Sequence, residues 1–208
     1  MASVTLTARS ALFGEATPGR YGARRDGAPE VKLAVRSGLA LAMIAARKEK
    51  VSETIEAVAA LSQARPLDRP SCAAKNGVAF IGCAPGQWLA VAGGSHAAGF
   101  VANLTQALGP VASVTDHTSA KTVVRISGAR AREVLAKGCP IDLHPRVFKP
   151  GDAATTRIVL IGCTLWQVDG TPTYDLAVNS SIVRSFWSWL TASAAEYGYE
   201  VVRAAPQG

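Results

Sequence analysis

From about residue 31 onward, apolar and polar positions follow two periods, one close to 2 and one close to 3.6, and their alternation predicts strands separated by helices. Residues 39–46 read as a strand. Residues 51–64 bring Val51, Ile55, Val58 and Leu61 onto one helical face, with Ser52 near its start and Pro66 and Pro70 ending it. Two short apolar runs, 78–83 and 87–92, flank Ala84-Pro85-Gly86, the composition of a hairpin turn. Phe100, Leu104 and Leu108 recur every four residues on a helix stopped by Gly109-Pro110, and 111–114 is the next strand.

The second part repeats that order. Residues 123–126 are β-branched, 129–136 form a short helix, and 157–161 with 165–168 form a hairpin around Gly162. A strand at 174–178 leads to a helix over 181–197 with Ile182, Phe186, Trp189 and Leu190 inward, and 199–202 is the last strand. Strand, helix, strand, strand, helix, strand is the order of the ferredoxin-like split βαβ unit. The expected fold is therefore α+β, two such halves with antiparallel sheets at 31–118 and 119–208, preceded by an extended arm at 1–30. That arm is broken by Gly14, Pro18, Gly19, Gly22, Gly27 and Pro29 and has little core of its own.

Composition allows a packed core, since 49% of the 208 residues are hydrophobic and only 18% are charged. With aromatics at 6%, that core must rest on aliphatic and small side chains. No apolar run approaches the roughly 18 residues of a membrane-spanning helix, and the alternating start at 1–7 lacks an export signal. A cytoplasmic protein is the expectation, with no membrane partner. Charge changes the picture at one end. Lys and Arg number 22 against 15 acids, a net of +7, and residues 1–50 alone hold nine against four, a net of +5. Arg20, Arg24 and Arg25 lie among glycines and prolines without interleaved aromatics, a pattern that suits an acidic protein surface better than a nucleic acid.

Candidate chemistry is sparse. Cys72, Cys83, Cys139 and Cys163 form no CxxC pair, and read as reduced thiols acting as small hydrophobes. His96, His117 and His144 have no spacing that would put two imidazoles on one helical face. Gly93-Gly94-Ser95 precedes a helix without completing either phosphate-binding motif, so it reads as a tight turn. Asp116-His117 resembles a fragment of a nucleophile system, but neighbours on one strand point to opposite faces. No catalytic, cofactor-binding or metal-binding residue emerges. Trp187 and Trp189 are about 200° apart on a helix, so one ring must leave the core. With Trp189 inward, Trp187 is the expected partner contact.

Longer motifs carry more. The stretches RSGLALAMIAARK (36–48), PGQWLAVA (85–92), ISGARAREVLAKGCPIDLHPRVFKPG (126–151), TLWQ (164–167), PTYDLAV (172–178) and RSFWSWL (184–190) closely resemble the gamma subunit family of bacterial heterotetrameric sarcosine oxidase. The resemblance covers about 36–197 and rests most on GCPIDLHP and FWSWL. It implies a non-catalytic accessory subunit of a flavoenzyme that oxidatively demethylates sarcosine to glycine. FAD and FMN, NAD, tetrahydrofolate and zinc are then implied for the alpha, beta and delta partners, and none for this chain.

The family's fold is similar to the glycine-cleavage T-protein, whose folate-handling strand carries an acidic pair after a glycine. The corresponding run here, Gly162 to Val168, has no carboxylate, and a proton relay or pterin contact that needs one has no group to use. A stand-alone folate-binding or one-carbon transfer protein of the T-protein type is the alternative, disfavoured by a length of 208 residues that leaves no room for that protein's third domain. Asp142 is expected to cap a turn over Leu143, after which His144, Pro145 and Arg146 form a loop. Arg20, Arg24, Arg25, His144, Arg146 and Trp187 are thus the expected partner interface. Residues 1–30 should order only against another subunit.

Overall fold

The structure, a computed structural model, describes residues 10–23 and 27–203. In chain order the strands and helices are β1 Gly19–Tyr21, β2 Val31–Arg36, β3 Ala40–Ala46, α1 Val51–Ser62, β4 Cys72–Lys75, β5 Val78–Ala84 and β6 Gln87–Ala92. They continue as α2 Phe100–Leu108, β7 Ala112–Asp116, β8 Lys121–Ser127, α3 Ala131–Ala136, β9 Ala153–Ile158 and β10 Ile161–Asp169. The last are β11 Thr173–Asn179, α4 Val183–Ala194 and β12 Tyr199–Arg203.

These strands form two sheets. The smaller has the order β4-β5-β6-β3-β7, a split βαβ unit with β4 added at one edge. The larger runs β1-β12-β2-β8-β11-β10-β9. Strand β2 departs from the expected division. It sits between β12, to which it is parallel, and β8, to which it is antiparallel, inside the unit built by the second part of the chain. Two consecutive halves at 31–118 and 119–208 therefore do not describe the sheets. The smaller sheet takes residues 40–116, and the larger borrows 31–36 from before it.

Alternation along each strand sends one set of side chains to the helices and the other to the opposite sheet. In β6, Trp88, Ala90 and Ala92 pack with Val58, Leu104 and Leu108 beneath α1 and α2. Their neighbours Leu89 and Val91 meet Leu41, Ile81, Val123, Trp166 and Ala177 in a layer contributed by both sheets. The far face of the larger sheet, through Leu33, Val124, Ile126, Leu165, Tyr174 and Leu176, buries α3 and α4. The layers are helix, sheet, sheet, helix. Strand β6 is covered on both sides, which is why its sequence reads as a continuous apolar run.

Three local expectations change. In α1 Val58 is buried with Val51 and Ile55 packed against the same core as expected, but Thr54 joins that face, its Oγ1 donating to the Lys50 carbonyl at 2.7 Å, while Leu61 in the last turn is 52% exposed. In α4 the stripe is Val183, Phe186, Trp187, Leu190 and Ala194. The helix starts later than expected, so Ile182 falls outside it, and its inward face is rotated toward Trp187. The hairpin of β9 and β10 turns at Val159-Leu160, where φ is 48° and 69°, and Gly162 lies inside the strand.

The segment before β2 is also not free. Leu12 is 2% exposed within the larger core, β1 pairs with β12, and Tyr21 stacks on Tyr199 at 5.4 Å between ring centroids. Residues 10–23 are thus ordered against this chain itself, because Leu12 and Tyr21 supply apolar anchors among the glycines. Gly128 marks another close approach. It has φ of 110°, and a Cβ there would collide with the Glu30 carbonyl at the start of β2.

Replacing Gly128 with Ala should lower stability by about 2 kcal/mol or more, because strain and collision act together. Equilibrium urea unfolding measures this, and a loss within experimental scatter would contradict it. Leu160 is 85% exposed in a left-handed conformation that glycine adopts without strain. Leu160→Gly should therefore stabilise the chain by about 0.5–1 kcal/mol, visible as a rise in Tm of about 2 °C.

Candidate functional site

Two regions concentrate polar side chains in positions that packing alone does not require. The first is the loop between α3 and β9. Leu143 and Phe148, at 5% and 6% exposure, pin its two ends into the larger core. Between them His144, Pro145, Arg146 and Val147 stand exposed. Asp142 Oδ1 accepts the His144 backbone N–H at 2.9 Å, which is the expected capped turn. His144 Nδ1 in turn accepts the Arg146 N–H at 3.2 Å. The Val147 and Phe148 N–H groups both donate to the His144 carbonyl. Local hydrogen bonds and two buried anchors thus present His144, Arg146 and Val147 in one fixed arrangement. A shallow cavity of about 580 Å³ lies alongside, bounded by Arg132, Glu133 and Asp142.

The second region lies in the seam between the sheets. Asp175 on β11 is opposite Arg125 on β8 and opposite Trp166 on β10, so all three share the face that meets the smaller sheet. Arg125 forks onto both oxygens of Asp175, Nε to Oδ1 at 2.6 Å and Nη2 to Oδ2 at 2.7 Å. Arg36, the last residue of β2, donates Nη1 to the same Oδ2 at 2.7 Å. The Asp175 and Arg36 side chains are 3% and 9% exposed. Burial pushes the Arg36 pKa down from its usual value, against the pull of Asp175. Such a cluster is held together by charge-assisted bonds that repay desolvation of the two guanidiniums only while the carboxylate between them stays in place.

The sequence does carry a signal for this cluster. LAVR, TVVRIS and TYDLAV are apolar strands interrupted by single charges at positions that alternation points away from the helices. What it lacks is any sign that the charges converge, because β2 reaches β8 only through the tertiary arrangement.

Of the expected interface residues, His144 and Arg146 share the loop just described. Arg20 is exposed on edge strand β1, where a charge also discourages pairing with another strand. Arg24 and Arg25 lie outside the described residues. Trp187 is corrected: its ring is 5% exposed in the larger core and offers no contact surface. Trp189 is the half-exposed ring, packed on Phe186 at 5.7 Å and over Gly138.

Asp116 caps its own strand end by accepting the Thr118 N–H at 2.8 Å, which holds its carboxyl below the usual range, and no dyad with His117 forms. All four cysteines are free, with burial pushing Cys72 up to about 12 and Cys163 upward as well. Among the described residues no group of three or more His, Cys, Asp or Glu could hold a metal, and no helix is long and apolar enough to cross a membrane.

The fold, two facing and mostly antiparallel sheets with helices outside, resembles that of the glycine cleavage aminomethyltransferase T of Bartonella henselae. The TM-score is 0.58 at 15% identity, over 81% of this chain and 49% of that one, a likeness of fold alone. A chain of heterotetrameric sarcosine oxidase from Corynebacterium sp. U-96, in complex with pyrrole 2-carboxylate, is closer. It gives a TM-score of 0.77 at 25% identity over 91% of this chain and 96% of that chain. The sarcosine oxidase, gamma subunit family matches residues 52–196, and the chain belongs to that family. Among curated relatives, sarcosine oxidase subunit gamma of Corynebacterium sp. strain P-1 is 33% identical over 127 residues. The match spans about three-fifths of each chain, 61% of both. The Arthrobacter subunit gamma is 36% identical over 95 residues, 45% of this chain and 46% of that one.

Asp175→Asn should cost about 3 kcal/mol of stability, since it leaves two largely buried guanidiniums without their carboxylate. Arg36→Met should be close to neutral because Arg125 keeps both oxygens of Asp175 occupied. Urea unfolding of the two variants side by side tests the asymmetry, and equal losses would show that Asp175 is not the hub.

Proposed function

We propose that this chain is the gamma subunit of a heterotetrameric enzyme that oxidatively demethylates sarcosine to glycine, with no active site of its own. The observation that carries the reading is the likeness to a chain of a heterotetrameric sarcosine oxidase over 96% of that chain's length, joined to a family match across residues 52–196. The site geometry agrees with it. The loop presents His144, Arg146 and Val147 exposed in an arrangement fixed by local hydrogen bonds, beside a shallow cavity, as suits contact with another protein. A prearranged loop loses little freedom on docking, so more of its contact energy appears as affinity.

In this reading the partners are the alpha, beta and delta subunits, and the cytoplasm is the compartment. FAD, FMN, NAD, tetrahydrofolate and zinc reside on those partners, as the family resemblance implies. His144 and Arg146 carry the loop contact, and Arg20, Arg24 and Arg25 supply charge toward an acidic partner surface. The alternative, a stand-alone folate protein, has less support. Leu165 is in the helix-facing core, Trp166 is 4% exposed, and the carboxylate opposite it, Asp175, already accepts three bonds from arginines.

Co-expression of the tagged full chain with candidate alpha, beta and delta subunits tests the proposal. The recovered complex should absorb as a flavoprotein and turn over sarcosine, whereas the chain alone should be colourless and inert. The double variant His144→Ala, Arg146→Ala should weaken assembly on the order of tenfold with an unchanged Tm. Flavin bound stoichiometrically to the isolated chain, or unaltered assembly of the variant, would count against the assignment of roles.

A further inference from the structure

The seam between the sheets opens at one end into a cleft of about 540 Å³, within the range of small-molecule sites. Arg36, Arg125, Lys75 and Asp175 line it together with apolar surface from Trp166, Val91 and Val168. Its charge does not balance. Arg36, Arg125 and Lys75 bring three positive charges. Asp175, and Asp169, which acts on Arg125 from beyond the lining, bring two negative ones. Lys75 is exposed at the rim and has no ion-pair partner among the described residues.

Donors are also in surplus. A guanidinium carries five N–H donors, and among the described residues Arg36 and Arg125 together make three hydrogen bonds, all to Asp175. The Arg36 side chain is 9% exposed, and it lines the cleft together with Arg125. Arg125 by itself already occupies both oxygens of Asp175. A second, desolvated guanidinium beside it costs stability unless something else uses its charge.

We propose that this cleft binds a small free acid, a carboxylate carried on a flat apolar body. The carboxylate accepts the spare N–H donors of Arg36 and Arg125, with Lys75 at the rim, and the body lies against Trp166, Val91 and Val168. Asp175 acts as a positioning residue that holds both guanidiniums in the plane from which they present those donors. The assignment is independent of the subunit role proposed above, since it concerns only residues of this chain.

Benzoate is a suitable probe, with benzamide as its uncharged counterpart of the same shape. Calorimetric titration of the full chain should give saturable benzoate binding with a dissociation constant of about 1 mM or lower and benzamide at least about tenfold weaker. The Trp166 indole N–H resonance should shift with benzoate occupancy. Arg36→Met should weaken benzoate at least about tenfold while keeping the parent melting temperature. Lys75→Gln, at an exposed rim position where folding is not at stake, should weaken it about threefold. Equal affinity for benzoate and benzamide, absence of saturable binding, or full benzoate affinity in the Lys75 and Arg36 variants would overturn the proposal.

Discussion

Asp175 sits where the architecture is joined. It accepts hydrogen bonds from β2 and β8 while lying on β11, so one carboxylate ties together three strands of the larger sheet. It does so on the face that packs against the smaller sheet, beside Trp166. Because the cluster is buried, its geometry is steep. Displacing any strand strands a charge in a medium that solvates it poorly, so the register of β2 between β12 and β8 is chemically specified as well as sterically allowed.

That register has consequences at both ends of β2. At its start, the Glu30 carbonyl lies so close to Gly128 that no side chain fits between them, and it accepts the Arg130 N–H that leads into α3. At its end, Arg36 hands the chain to the smaller sheet, so the two sheets are connected by covalent chain at the same place where they are clamped electrostatically. The Ser10–Ala23 stretch then closes the outer edge through β1, with Leu12 entering the core. The His144 loop, Arg20 and the Val159-Leu160 turn are among the parts that remain outward.

Much of this was legible in the chain. The helices α1, α2 and α4 and most strands follow from periodicity, and the capped turn at Asp142 with Leu143 beneath it follows from local hydrogen-bonding chemistry. The family was legible too, through GCPIDLHP and FWSWL. Other features were not. Trp187 and Trp189 differ by two positions, and which ring turns inward depends on where α4 begins and how it is rotated on the sheet. Leu61 has the spacing of a core residue, yet it lies beside an open cavity at the helix end.

Local rules therefore determined the alternation of strands and helices, the turn chemistry and the absence of recognisable catalytic motifs. All of these depend on residues within a few positions of one another. Tertiary structure decided the rest. The insertion of β2, the anchoring of Leu12 and the convergence of Arg36, Arg125 and Asp175 join residues far apart in sequence, 139 positions in the case of Arg36 and Asp175. Their partners are set by which faces two sheets can bury together, and no local pattern encodes that choice.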